Sequence, residues 1–363
     1  MKADVRILTG SAGSGKSKKI YEELVDLAAA HPEQRFYLIV PEQAGSSMEQ
    51  RILAMNRERT GRAGFFNIDI IGFTRLAYRI FEEQGRSMRQ VLEDYGKTIL
   101  LRSVVGKVRS ELELYSGSVD RQGFIDELKS LFSEFLMFDI TPEELEKAMD
   151  ALPESSLHLQ RKLRDVLTIY RAFREDSAFL EQYMVAEELP AYLARLLMEI
   201  GDVRAVDGCT FYFDGFTGYT AAQRKVLECL ICRAKAMTFT VTLDPEDTGN
   251  PMFEQSTEML EQLIKMAPAA ELRTQPEPPA DTKIRFLTKH VFRFPVHEYV
   301  GDPEKKTGCS DNTSDNTSDG NGSEEISVWR TVNSVEELRV VAEDIRDRVR
   351  RGQQEGQETF RCC

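Results

Sequence analysis

The sequence has no apolar run near the roughly 20 residues that a membrane-spanning helix needs. Its first four residues lead directly into a strand-like segment with no signal-peptide core, so we expect a cytoplasmic protein without a membrane segment. Positive charge is also scarce, because 47 Lys and Arg face 60 Asp and Glu, for a net charge of −13 over 363 residues. This balance argues against a protein that wraps duplex DNA through its overall field, since such binding needs clustered basic side chains.

Cysteine is present without a disulfide pattern. The six cysteines, at positions 209, 229, 232, 309, 362 and 363, show no framework spacing, so we expect no disulfides. Cys229 and Cys232 share a face of a predicted helix, but no second Cys or His pair follows, so we expect no metal there.

The clearest motif is a phosphate loop near the amino terminus. A short apolar strand, residues 5–9, runs into G-x-x-x-x-G-K-S and then a helix from Lys18 to about Ala30. The glycines let backbone N–H groups point at an anion, the lysine reaches the terminal phosphates, and the serine offers a hydroxyl to Mg²⁺. The motif predicts ATP and Mg²⁺ as ligands; the alternative is a glycine-rich turn without a ligand. The predicted nucleotide-binding residues are Gly10, Gly13, Ser14, Gly15, Lys16 and Ser17.

The first 84 residues alternate strand and helix, which is typical of an α/β fold. Residues 36–40 form a continuous apolar run stopped by Pro41, as in a strand buried on both faces of a parallel sheet. Residues 68–71 are a third strand candidate, followed by an amphipathic helix from Thr74 to about Gln84.

From about Gly85 to Ala205 the periodicity becomes helical, for example over residues 124–138 and 157–174. Thr141 and Pro142 mark a helix start, with Thr as the cap and Pro at the first helical position. Strands return at 210–213 and 237–243, with a helix over 221–233 between them. The strict alternation of 237–243 predicts one buried and one polar face.

These changes of pattern divide the chain into five segments. Residues 301–325 are small and polar with a repeated Asp-Asn-Thr-Ser unit, which predicts a disordered linker or surface loop. A strand near Trp329 and a helix from Ser334 to about Arg351 follow. The predicted segments are 1–84 and 206–300 as two parts of one lobe, 85–205 as a helical insertion, 301–325 as linker, and 326–363 as the truncated start of a second lobe.

Three further segments, in order after the phosphate loop, resemble superfamily 1 helicases of the UvrD type. Residues 73–80 resemble the T-F-H-S-L-A-x-R-I segment that lines the single-strand path of those helicases. Residues 40–44 stand where their motif Ia follows the second strand. Residues 214–223 occupy the place of D-E-F-Q-D-x-x-x-x-Q.

The sequence is more closely similar to the N-terminal region of the B subunit of AddAB helicase–nucleases, over residues 1 to about 350. This resemblance implies a RecA-like parallel sheet with a large helical insertion, an AddA-like motor and nuclease partner, and single-stranded and broken double-stranded DNA as ligands. The nuclease and iron–sulfur cluster of that family lie in its C-terminal portion, so we expect neither here. The blocks that carry it are Gly10–Ser17, Leu38–Gln43, Phe73–Arg79, Asp214–Thr220 and Glu336–Ile345.

One substitution decides the expected chemistry. Active helicases place Asp-Glu at the strand end, where Asp holds Mg²⁺ indirectly and Glu polarises the attacking water. Here the pair is Asp214-Gly215, so the resemblance implies Ser17 and Asp214 at the metal but no general base. Losing a positioned base costs about 10²–10⁴-fold in rate. If Asp214 is instead only a turn residue, hydrolysis is lost as well.

The same resemblance implies contacts to single-stranded DNA. Phe73 and Phe216 could stack on bases, Gln43 and Arg75 could reach phosphates or base edges, and Tyr78 belongs to the same block. The alternative is that Phe73 and Tyr78 pack beneath the sheet.

We therefore expect a non-motor subunit of a DNA-end-resecting helicase–nuclease that acts in double-strand break repair by homologous recombination, binds ATP–Mg²⁺ and guides single-stranded DNA. A stand-alone P-loop ATPase or kinase is the alternative, although a kinase would carry an Arg-rich lid rather than about 120 helical residues before Asp214. A third interpretation is a truncated chain that does not fold alone.

Overall fold

The computed structural model describes residues 2–85, 89–175, 182–244, 249–276, 283–291, 293 and 329–354. The chain divides into two compact units, residues 1–277 and 278–363. The predicted linker 301–325 lies outside the described residues, as does most of the strand predicted before Trp329. The helix predicted from Ser334 is confirmed as Ser334–Gln354.

The first unit is built on a six-stranded parallel sheet. The strands are β1 Asp4–Gly10, β2 Phe36–Ile39, β3 Ile68–Ile71, β4 Gln90–Leu92, β5 Tyr183–Val185, β6 Thr210–Phe213, β7 Ala236–Thr242 and β8 Glu271–Thr274. The order in the sheet is β3-β2-β6-β7-β1-β8, and every neighbouring pair is parallel. The other two strands, β4 and β5, form a separate parallel pair.

Helices cover both faces of the sheet and build the insertion. Within the described residues, no helix is both long and apolar enough to cross a bilayer. The α-helices are α1 Lys16–Ala30, α2 Gly45–Thr60, α3 Phe73–Glu83, α4 Asp94–Val108, α5 Gln122–Met137, α6 Pro142–Asp150, α7 Leu157–Glu175, α8 Leu189–Glu199, α9 Ala221–Arg233, α10 Glu254–Met266, α11 Lys283–His290 and α12 Ser334–Gln354.

Strand β2 shows how the sheet is buried. All four of its residues are buried, as the apolar run predicts. Phe36 and Leu38 pack with α1 and α2, whereas Tyr37 and Ile39 belong to the cluster formed with α3, α8, α9 and α10. Alternate side chains of a strand point to opposite faces, so a strand with helices on both sides needs an uninterrupted apolar sequence.

The insertion between α3 and α8 has its own core. Helices α4 to α7 bury an aromatic group in which Phe132 lies 4.9 Å from Tyr170 and 5.5 Å from Phe173, between ring centroids. The helix start at Thr141 is confirmed, because its hydroxyl accepts from Glu144 N at 3.2 Å and the Glu144 carboxylate accepts from Thr141 N at 2.9 Å. The predicted helical character of this segment is therefore confirmed.

Three short strands were not predicted. β4 and β5 lie at the two ends of the insertion and pair with each other, so the segment 85–205 is not entirely helical. Each has only three residues, too few to show an alternating pattern. β8 is an exposed edge strand beside β1, and its charged sequence lacks the apolar signal of a buried strand.

The sequence predicts one buried and one polar face for the strand 237–243, but both faces of β7 are buried over residues 237–241. β7 lies between β6 and β1 in the interior of the sheet. The polar side chains within the strand are covered, since Thr238 and Thr240 are only 5% and 6% exposed, whereas Thr242 at its end is exposed. Each hydroxyl has a partner, because Thr238 accepts from Arg6 at 3.1 Å and Thr240 donates to Asp214. Alternation with threonine thus reflects buried hydrogen bonds here, not contact with water.

Candidate functional site

The loops that follow the six strands of the main sheet meet at one edge. Because all the strands are parallel, their carboxyl ends lie together, which is where ligands bind in open α/β sheets. The phosphate loop follows β1, residues 40–44 follow β2, Gly72 follows β3, and Asp214 follows β6. The sheet therefore brings the first four helicase-like blocks of the sequence to a single edge.

The phosphate loop has the backbone that an anion cradle requires. Gly13 and Gly15 have φ of 77° and 86°, in the left-handed region that only glycine adopts readily. Gly15 caps α1 without a side-chain hydrogen bond, and the first turn of α1 carries no acidic residue. The first N–H groups of the helix are thus not capped by a carboxylate, as phosphate binding at a helix start requires.

Lys16 lies inside this loop. Its ammonium donates to Gly10 O at 2.8 Å and Ser11 O at 2.7 Å, with Ser14 Oγ at 3.4 Å. Burial lowers the pKa of Lys16 to about 8, against the opposing attraction of Asp214. The cation is therefore held at the loop by neutral oxygens rather than by an ion pair.

Asp214 is the buried carboxylate of the site and is 5% exposed. Its Oδ1 accepts from Ser17 Oγ at 3.1 Å and from the Thr240 hydroxyl, and its Oδ2 accepts from the Tyr21 hydroxyl. Burial, followed by the charge and hydrogen bond of Asp214, raises the pKa of Tyr21 well above its ordinary range. Tyr21 therefore stays protonated and donates to Asp214.

The residues present fit a magnesium nucleotide. A serine hydroxyl beside a carboxylate is the kind of oxygen donor set that Mg²⁺ takes, with phosphate oxygens supplying further ligands. Ser17 and Asp214 would hold the ion, and its chemistry there would be to neutralise phosphate charge. No group of three or more His, Cys, Asp or Glu suited to a metal occurs in the described part of the chain.

Gly215 stands where a catalytic carboxylate would follow Asp214. Its φ is 78°, and a Cβ added there would lie 3.5 Å from Pro41 Cδ, which is an ordinary contact. Space is thus available, but the left-handed backbone disfavours any L side chain. The backbone conformation of the turn after β6 therefore favours glycine at position 215.

The predicted DNA residues lie in the loops after β2 and β6 and in the first two turns of α3. Gln43 and Arg75 are exposed, and Tyr78 is 39% exposed. Phe216 is half-buried, whereas Phe73 is 4% exposed and packs edge-on against Phe216 with 5.9 Å between ring centroids. Phe73 therefore packs against Phe216 from the core side. A nucleic-acid base could reach the Phe73 ring only if the neighbouring side chains moved.

Two positioning residues escaped the sequence analysis. Glu42 accepts from Thr74 N at 2.8 Å and so caps α3, linking the loop after β2 to the block that starts at Phe73. A Cβ at Gly72 would lie 2.4 Å from the Glu42 carboxyl, so a larger residue there would displace this carboxylate from Thr74 N. Tyr21 is the second, and its only sequence signal is its position one helical turn after Ser17.

Comparisons with known proteins bear on the whole first unit. The family model described as ADDB, N-terminal, matches residues 7–294. The chain is 32% identical, over 82% of its length, to the B subunit of the ATP-dependent helicase/deoxyribonuclease of Lachnoclostridium phytofermentans, and covers 26% of that protein. The B subunits of the same name from Moorella thermoacetica and Acetivibrio thermocellus are 30% and 27% identical over 82% and 94% of the chain, which covers 27% and 28% of them. The chain thus spans about a quarter of the length of these relatives.

Proposed function

The chain belongs to the ADDB N-terminal family, and from that premise we propose that it is the nucleotide-binding, non-motor part of a DNA-end-resecting helicase–nuclease. It binds ATP at the phosphate loop, where Ser17 and Asp214 would hold any Mg²⁺ that is bound with it, and turns the ATP over slowly or not at all. It guides single-stranded DNA released from a broken duplex by an AddA-like motor and nuclease partner. The combination of an intact phosphate loop with Asp214-Gly215 carries this proposal.

Nucleotide binding is supported by the loop and its lysine. The left-handed glycines and the uncapped start of α1 provide backbone N–H groups, and Lys16 provides the cation. Its bonds to Gly10 O and Ser11 O are to uncharged acceptors, which phosphate oxygens would replace with stronger charge-assisted bonds.

Weak or absent hydrolysis is supported by the residues around Asp214. Glycine at 215 cannot polarise water, and its backbone is unfavourable for glutamate. Glu42 follows the adjacent strand β2, but its carboxylate caps α3. A bound nucleotide would thus act as a structural ligand that holds β1, α1 and the loop after β6 together.

Single-strand guidance is supported by the exposed residues beside the site. Gln43 in the loop after β2 and Arg75 and Tyr78 in the first two turns of α3 offer an exposed amide, cation and aromatic ring, and Phe216 adds a half-buried ring. Stacking of bases on rings is tolerant of sequence and contributes about 1–3 kcal/mol per base. The net charge of −13 makes unassisted DNA affinity weak and salt-dependent, so the motor partner supplies most of the attraction.

Equilibrium ATP binding by calorimetry tests the proposal. Lys16→Ala should lower the affinity at least about tenfold, because a charge-assisted hydrogen bond to phosphate is lost. Lys18→Ala is the matched control, since Lys18 lies on the same helix with its side chain 69% exposed. Equal ATP affinity in the two variants would contradict a nucleotide site at this loop.

A further inference from the structure

A buried tyrosine lies between the phosphate loop and Asp214. Tyr21 is 0% exposed and stands one turn after Ser17 on α1. Its hydroxyl donates to Asp214 Oδ2, while Ser17 and Thr240 donate to Oδ1. Asp214 therefore accepts hydrogen bonds from three hydroxyls, two on α1 and one on β7.

These donors compensate the charge of Asp214 within the protein. A carboxylate has about four acceptor positions, and three protein hydroxyls already occupy most of them. Hydrogen bonds to a charged acceptor are stronger than neutral ones, so a ligand that needs the same lone pairs of Asp214 must displace a strong bond. A magnesium ion at Ser17, or a water that it holds, would have to compete with the Tyr21 hydroxyl for the Asp214 carboxylate.

Tyr21 is fixed in this position by its surroundings. The ring belongs to the core cluster that α1 forms with β2, and the Arg51 guanidinium lies 5.7 Å from the ring centroid on the side of α2. A side chain packed in this way cannot swing its hydroxyl aside without opening the core. The Tyr21 hydroxyl therefore remains a competitor of Mg²⁺ for Asp214 in the folded protein.

We propose that the Tyr21 hydroxyl, by occupying Asp214, makes this site bind nucleoside triphosphate almost independently of Mg²⁺, with Lys16 and the loop N–H groups holding the phosphates. This inference rests on the proposed nucleotide-binding function and deepens it. The shielded Asp214 repels the phosphates less than a bare carboxylate would, so a bridging cation is not needed to bring them together. This site differs in that respect from one in which the metal ion and the nucleotide bind together as a complex.

The test measures the dissociation constant of ATP in Mg²⁺ and in EDTA for three proteins: the wild type and two variants. Tyr21→Phe removes the donor and keeps the ring. Tyr212→Phe is the matched control, because Tyr212 is a buried tyrosine whose hydroxyl donates to Glu23 at 3.0 Å instead of Asp214. Thermal unfolding of both variants establishes that each is folded at the assay temperature.

In the wild-type protein the two constants should differ by less than about threefold, and in Tyr21→Phe Mg²⁺ should tighten binding by about tenfold or more, the equivalent of one charge-assisted hydrogen bond. Tyr212→Phe should behave as wild type. A wild-type protein that binds ATP only with Mg²⁺, or a Tyr21→Phe variant with the wild-type ratio, would overturn the inference while leaving nucleotide binding intact. Absence of ATP binding under both conditions would overturn the proposed function and the inference with it.

Discussion

Substitution of Phe73 separates a structural role from a DNA-binding one. Phe73 is 4% exposed and its ring lies within 6.4 Å of three aromatic neighbours, Phe213, Phe216 and Tyr219, between centroids. Truncating such a ring to alanine removes its contacts and leaves a cavity, which costs about 3–5 kcal/mol of unfolding free energy. Phe73→Leu keeps most of the volume and should cost less than about 1.5 kcal/mol, so that variant stays folded for binding assays.

Phe81 provides the matched control for this experiment. It lies two turns further along α3, is 2% exposed, and packs on Tyr192 at 5.2 Å, away from the carboxyl edge of the sheet. Phe73→Leu and Phe81→Leu should lower stability in urea by similar amounts and leave the affinity for a single-stranded oligonucleotide unchanged. Arg75→Ala, at an exposed position of the same helix, should weaken that affinity without changing stability. Fluorescence anisotropy at low salt measures it. Loss of DNA binding in Phe73→Leu alone, at unchanged stability, would refute the core role of this ring.

Three further substitutions test other parts of the structure. Gly215→Glu should destabilise the protein by about 1–2 kcal/mol because of the left-handed backbone, and it should not restore ATP hydrolysis. The control is Gly218→Glu in the same loop, which should be tolerated because a Cβ there meets nothing within 4 Å. Rapid release of phosphate from ATP by the Gly215→Glu protein would contradict this reasoning. Asp165→Asn should cost about 1–3 kcal/mol in chemical denaturation, because the carboxylate accepts from Glu113 N, Leu114 N and Tyr115 N and an amide nitrogen cannot; wild-type stability would count against it. Burial raises the pKa of Glu187, but Lys97 at 2.5 Å and Ser133 at 2.9 Å outweigh burial and hold the pKa below its ordinary value of 4.5. The ionised Glu187 thus contributes stability that is present above its unfolded-state pKa and is lost as pH falls through its folded-state pKa. Glu187→Gln should therefore reduce the loss of stability at acid pH. An unchanged loss would argue against the Lys97–Glu187 ion pair.

The local parts of the fold and site were predictable from the sequence. The spacing of Gly10, Gly15 and Lys16 fixes the phosphate loop because its chemistry lies within eight consecutive residues. The apolar run of β2 predicted a strand buried on both faces, which the structure confirms. The capping residue Thr141 begins a helix, as the sequence predicts.

The parts that escaped prediction depend on contacts between distant segments. Tyr21 and Asp214 are 193 residues apart and meet only because β6 and β1 lie on either side of β7. Glu42 and Thr74 meet because β2 and β3 are neighbours with aligned carboxyl ends. Strand order is not encoded in any local pattern, so neither pairing could be derived from spacing.

The most direct test of the account measures ATP binding and phosphate release on the same preparation of the protein. Saturable ATP binding that Lys16→Ala lowers at least about tenfold, together with no phosphate release above that of the Lys16→Ala protein, is the predicted result. Turnover in the ordinary enzymatic range of roughly 1–10³ s⁻¹, or binding that survives Lys16→Ala, would contradict a nucleotide site that binds without hydrolysis.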